Sequence, residues 1–333
     1  MKARNENMDI ARSLGIILVV VGHIIQMNCG DFSNNMVFQV IYSFHMPLFF
    51  FISGYVTYKT DWNPKYDWIL KKFVSLVIPY LVWFVIKYSL NGYIIENGIL
   101  SAFKLLATKY DIGYWFLLSL FLCDCALFLA VRLSRLCVRI DSLRVQVVCC
   151  LVVLCLFWIL QHFENYLGTS SVWAYFPYVI CGYTIAGTVH KELVSVNKIM
   201  ILVGGFITGI TFFALCIVKF ADHNMLLFES IMRSTGVKQF ASEIDDKFLA
   251  LMAIDGVFCF SFILKNTSLC KILTYLGKHT VEIYVIHFSL LRTYVDNIYI
   301  NCMISFFVAL LLPLGIEIVL RRAIFVHKLL FGR

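Results

Sequence analysis

The chain is 333 residues long, 61% hydrophobic and only 14% charged, whereas a soluble globular domain carries roughly a quarter charged residues. That balance excludes a water-soluble enzyme and implies an all-α integral membrane protein. The formal net charge of +8 would suit a nucleic-acid partner, but the basic residues lie in a pattern that membrane topology explains better.

A helix needs about 17 to 25 apolar residues to cross a bilayer core. Ten stretches meet that length, at 10–28, 36–58, 73–90, 113–131, 145–161, 173–189, 199–220, 248–264, 279–295 and 301–320. No linker or internal repeat divides them, so residues 1–333 read as one transmembrane domain. Taking the N-terminus as inside, 19 of the 28 Lys and Arg fall in the inner segments, including Lys71, Lys72, Arg132, Arg135, Arg321 and Arg322. Only five, Lys104, Lys109, Arg233, Lys238 and Lys247, fall in the outer ones. This is the positive-inside pattern with both termini cytoplasmic. The charge is topological, and no nucleic-acid partner is expected.

The first stretch, "DIARSLGIILVVVGH", carries Arg12 near its cytoplasmic mouth and His23 deep inside. Eleven steps of 100° make three turns and about 20°, with a rise of about 16 Å, so the two side chains share one helix face. Arg12 either snorkels to the interface beside Asp9, one turn earlier, or faces a ligand. His23 either bridges helices or lines a site, since ionisable groups at membrane depth usually do. Gly15 and Gly22 thin this helix for the approach of a ligand or a neighbouring helix. The run is too long for a signal-peptide core and no small-residue cleavage site follows, so it is expected to persist as a helix.

The second stretch holds "YSFHMPLFFFISGY", in which Pro47 removes a backbone donor and is expected to kink the helix beside His45. Ser53 and Gly54 allow close backbone approach, for packing or for a ligand. In the fourth stretch Trp115 suits an interfacial belt. The twelve cysteines lie mostly inside apolar runs without CxxC pairing, so they read as small buried hydrophobes. Gly205 and Gly209 of "GGFITG" have helix-packing spacing. The hydrophilic connection at 221–247 is either a solvated loop or a lid. Near the end, "LGKHTVEIYVIH" places Glu282, Tyr284 and His287 within two turns; Tyr284 and His287 are neighbours at i, i+3, while Glu282 diverges from His287. The histidines lie on different helices and no HExxH occurs, so no metal site is expected.

Several blocks occur together in this order: Arg12 and His23, "FHMPLFFFISGY", "KKFVSLVIPYLVW", "YWFLLSLF", "YFPYVICGY" and "LGKHTVEIYVIH". The sequence resembles, over essentially its whole length, the acyltransferase 3 family of bacterial membrane proteins, and most of all its fucose 4-O-acetylase-like branch. The resemblance implies a multi-pass enzyme of the bacterial inner membrane that moves an acetyl group from cytoplasmic acetyl-CoA to a sugar hydroxyl of a surface or exported glycan. One departure stands out: the family's RxxR pair before the proline of the third span reads Lys72 and Ser75 here, and lysine lacks the bidentate fork of arginine.

On this reading the CoA phosphates sit at the basic rim formed by Lys71, Lys72 and Arg12, and the pantetheine arm threads upward between the first three helices past Ser53 and Gly54. A neutral imidazole at His23 accepts the proton of the attacking sugar hydroxyl. His45, Trp115, Glu282, Tyr284 and His287 line the acceptor cavity, and some of them donate hydrogen bonds to the developing oxyanion. The alternative is a proton-coupled transporter or flippase, against which the spans show no matched pair of broken helices.

Overall fold

A computed structural model describes residues 5–59, 63–108, 113–137, 142–160, 168–192, 198–221 and 235–333. Among these the chain is helical, with no strand. The helices are α1 (Glu6–Asn28), α2 (Met36–Thr57), α3 (Tyr66–Leu90), α4 (Tyr93–Asn97), α5 (Ile99–Thr108), α6 (Trp115–Cys137) and α7 (Leu143–Leu160). They continue with α8 (Ser170–Glu192), α9 (Lys198–Cys216), α10 (Thr235–Leu264), α11 (Cys270–Lys278), α12 (Thr280–Leu290), α13 (Ile298–Leu320) and α14 (Ile324–Phe331).

Nine of these helices are long and apolar enough to cross a membrane among the described residues, and they coincide with nine of the ten stretches read from the sequence. The tenth, 279–295, differs. It holds only the 11 residues of α12, a rise of about 16 Å against a hydrocarbon core of about 30 Å. The reason lies just upstream, where His279 leaves the helical region (φ −111°, ψ 23°) and separates α12 from the amphipathic α11. The hydrophilic stretch at 221–247 is helical from Thr235 onward, within α10; residues 222–234 lie outside the described residues, and with them most of the proposed lid.

The chain packs as two compact units. The first comprises Met1–Phe49 and Val194–Ile316. In it α1 begins at an N-cap, Asn5, whose side chain accepts from the Asn7 N–H at 3.1 Å, with Glu6 and Asp9 in the first turn where the helix dipole favours acid. Its flank lies directly on α11: a Cβ at Gly277 would stand 1.8 Å from the carbonyl oxygen of Asp9, so only glycine lets the two backbones meet. Ile10, Leu264 and Leu273 close a small apolar cluster beside that contact. The glycine packing expected of α9 is found at Gly205, where a Cβ would stand 2.2 Å from Cys259 Cβ, but not at Gly209, where a Cβ would meet nothing within 4 Å; Thr208 donates to Asp255 of α10 at 2.7 Å.

The second unit comprises Phe50–Leu193 and Glu317–Arg333. Here the end of α2 lies against α8 with backbone on backbone: a Cβ at Gly54 would be 2.1 Å from Val179 O, and one at Gly182 would be 2.1 Å from Phe51 O. Helix α3 contains a π turn at Phe73–Val77, closed by the Ile78 N–H bonding to Phe73 O. Pro79 accounts for it, because its missing N–H leaves the Ser75 carbonyl without the donor that an α-helix would supply four residues on.

Candidate active site

Within the first unit, three histidines gather from α1, α2 and α12. His23 is half-buried, its ring 5.3 Å from that of His287 and 5.2 Å from Phe288. Its Nδ1 lies 2.9 Å from Gln26 Oε1 and 3.2 Å from the Tyr42 hydroxyl, which itself donates to Gln26 Oε1 at 3.5 Å. Because the amide oxygen only accepts, Nδ1 carries the hydrogen and the lone pair of the neutral ring sits on Nε2. Gln26 thus fixes the tautomer one turn along the same helix, as a carboxylate does in a serine hydrolase, without adding charge.

His45 and His287 obey the same rule. The His45 Nδ1 donates to Ile41 O at 2.8 Å, and the His287 Nδ1 is shared between Ile283 O at 2.9 Å and Tyr284 O at 2.8 Å. Both rings are buried, and the His287 Nε2 has no hydrogen-bond partner among the described residues. With Nδ1–H directed to backbone carbonyls, a neutral ring at either position carries its lone pair on Nε2. His45 connects to His23 through Tyr42, whose ring centroid is 4.6 Å from its own.

Arg12 and His23 do lie along one face of α1, but the strip between them is closed. Ile16 and Val19 are buried there, and the notches at Gly15 and Gly22 are filled by the rings of Phe49 and Tyr42, which a Cβ would meet at 2.9 and 2.8 Å. The two glycines therefore serve helix packing, and a pantetheine arm does not run along that strip in this packing. Arg12 is ion-paired to the buried Asp9 at 3.0 Å.

The remaining residues separate. On α12, Glu282 and His287 are about 140° apart around the helix axis: His287 reaches His23, while the buried Glu282 has His279 Nδ1 at 3.9 Å. Tyr284 is buried, its ring 6.1 Å from that of His287. In the second unit Ser53 is buried, and the face of Gly54 is taken by Val179, which gives that position a packing role. Trp115 stacks on Tyr175 at 5.3 Å, and Tyr175 in turn on Phe50 at 4.5 Å.

Lys71 and Lys72 line a cleft of about 600 Å³ that also includes Ser75, Asp67 and Lys328. Lys72 is not a free cation. Its ammonium lies 2.9 Å from Asp124 Oδ2, a carboxylate buried in the middle of α6. Asp124, Gln26 and Tyr42 were not predicted as functional partners. Asp124 had a signal available, a charge inside the apolar run "LSLFLCDCALF"; Gln26 and Tyr42 are neutral and gave none.

The fold is that of a polytopic membrane protein, and within its first unit His23, His45 and His287 come together. Residues 5–322 match the acyltransferase 3 family, described as an acyltransferase domain. The chain belongs to that family. It is also similar to the nodulation protein NolL of Sinorhizobium fredii (strain NBRC 101917 / NGR234), 31% identical over 121 residues, 34% of this chain and 33% of the relative. The nodulation protein NolL of Mesorhizobium japonicum (strain LMG 29417 / CECT 9101 / MAFF 303099) is 27% identical over 146 residues, 42% of this chain and 39% of the relative. The chain thus spans well under two thirds of the length of the curated relatives it matches. No solved structure matches the chain.

Proposed function

We propose that the protein transfers an acetyl group from cytoplasmic acetyl-CoA to a sugar hydroxyl of a surface or exported glycan, working in the bacterial inner membrane with both termini in the cytoplasm. The observation that carries this reading is the cluster of three imidazoles tied at Nδ1, with a lone pair on each Nε2. Such a site is built to receive hydrogen bonds, and a sugar brings several hydroxyl donors.

His23 Nε2 takes the proton of the acceptor hydroxyl as its oxygen attacks the thioester carbonyl. A carbon–oxygen bond forms, the carbon–sulfur bond breaks, and the imidazolium returns its proton to the departing thiolate. Gln26 Oε1 stabilises the imidazolium through the Nδ1–H. His45, Tyr284 and His287 position the acceptor, with Glu282 and Trp115 as further acceptor-side residues. Lys71 serves the donor's phosphates, and Arg12 and Ser53 serve the donor.

Membranes containing the protein, incubated with labelled acetyl-CoA and candidate glycans, are expected to place label in the glycan in an alkali-labile ester. Movement of an unmodified glycan without CoA would support the transporter and overturn this reading.

Arg12 carries a separate prediction. Arg12→Ala and Asp9→Asn both break the ion pair, so both are expected to lower the melting temperature of the purified protein similarly. Only Arg12→Ala is expected to raise the KM for acetyl-CoA, by about 10-fold, the weight of one charge-assisted hydrogen bond. Equal KM values for the two variants would confine Arg12 to the fold.

A further inference from the structure

The cleft on α3 receives a lysine that belongs to no motif. Lys328 stands on α14 and lines the same cavity as Lys71, Lys72 and Ser75. It is held there by an unusually close contact. Gly332, the left-handed residue ending α14 (φ +74°), returns its N–H to Lys328 O at 2.8 Å. A Cβ on it would lie 2.4 Å from both Ser75 Cα and Ser75 O. The place where α14 docks is therefore the π turn created by Pro79, at the carbonyl that has lost its helical donor. Two more contacts fix the helix: the Trp83 indole N–H donates to Leu330 O at 2.9 Å, and the buried His327 sits with Nε2 3.2 Å from Glu317 Oε1.

The charges of the cleft divide unequally. Lys72 is neutralised by Asp124, while neither Lys71 nor Lys328 has an ion-pair partner among the described residues, although Asp67 also borders the cleft. Two exposed ammonium groups and a cavity of about 600 Å³ make a receptor for a compact dianion or polyanion, while the Ser75 hydroxyl on its wall donates to Lys72 O at 3.2 Å. We propose that Lys328, delivered by α14, completes a phosphate-binding cleft with Lys71, and that the cleft takes the nucleotide phosphates of the acyl donor. Lys328 thereby supplies the second cation that the sequence lacks at Ser75. Assignment of the phosphates to the donor rests on the acetyl-CoA reading; the phosphate chemistry of the cleft does not.

The test uses the full chain in neutral-lipid nanodiscs, with CoA, pantetheine and inorganic pyrophosphate titrated by calorimetry. Lys328→Ala is expected to weaken CoA and pyrophosphate at least about 10-fold and to leave pantetheine, which has no phosphate, unchanged. Lys328→Arg is expected to recover wild-type affinity within about 3-fold, and Arg322→Ala, which removes the same charge elsewhere, to change nothing. Gly332→Val, which has no room against Ser75, is expected to reproduce the Lys328→Ala loss. CoA binding that is equal in the wild type and Lys328→Ala overturns the cleft and leaves the donor reading standing. Lys328-dependent binding of pyrophosphate without binding of CoA keeps the cleft and overturns the donor reading. A Lys328-dependent response to added phosphatidylglycerol alone assigns the cleft to a lipid headgroup and overturns the proposal.

Discussion

Replacing His23 with alanine is expected to lower acetyl transfer by about 10²–10⁴-fold, the range that a positioned general base contributes, while leaving a folded, membrane-inserted protein. Folding survives because the partners of His23 satisfy one another: the Tyr42 hydroxyl already donates to Gln26 Oε1, and the ring is only half-buried, so its loss leaves no deeply buried group stranded. Gln26→Ala removes the acceptor that fixes the tautomer. It is expected to give a smaller loss, about 10-fold, with KM for acetyl-CoA unchanged, because it acts through the imidazole and touches neither substrate. The readouts are label transfer from acetyl-CoA and the monodispersity of the purified variants. Retention of more than about a tenth of the wild-type rate by His23→Ala, with normal folding, would remove the imidazole from the reaction and leave the cluster without a base.

The sequence made the helices readable because a bilayer imposes a length and an apolar composition on every span, and nine stretches met both. The stretch at 279–295 met the composition test but not the structural one. Its break at His279 follows two residues after a tertiary contact, Gly277 on the Asp9 carbonyl, and a running average of hydropathy registers neither the backbone turn nor contacts between distant residues. His23 was legible for a similar reason to the spans: an ionisable ring inside an apolar run is expensive and calls for a purpose. Its partners were not. Gln26 is neutral, and the reach of Tyr42 depends on α2 lying in the notch of Gly22. Which hydrogen atoms the rings present was also beyond sequence, since it depends on Nδ1 finding a carbonyl or amide oxygen within the same helix turn. The role of Lys328 lies further still from any pattern, because it depends on a π turn, a C-terminal glycine and a helix that docks where the two meet.

Lys72→Met is expected to destabilise the protein by about 3 kcal/mol, the lower end of what removing one partner of a buried ion pair costs. The direction follows from burial. Asp124 is 1% exposed and its carboxylate has no hydrogen-bond partner among the described residues besides its ion pair with Lys72, so the substitution strands a charge in an apolar helix interior. The lower end applies because the Lys72 side chain keeps 25% of its exposure, and solvent screens part of the interaction. Changing both partners to apolar residues of similar volume, Lys72→Met with Asp124→Leu, is expected to recover most of the lost stability, since buried pairs are often replaceable by packed hydrocarbon at little net cost. Thermal unfolding in detergent, followed by size-exclusion chromatography, reads both. The double variant also separates structure from donor binding: with Lys72 acting as the counterion of Asp124 and Lys71 facing the donor, its KM for acetyl-CoA is expected within about 3-fold of wild type. A stable double variant with a KM raised 10-fold or more would place the Lys72 ammonium on the donor phosphates and make Asp124 the residue that aims it.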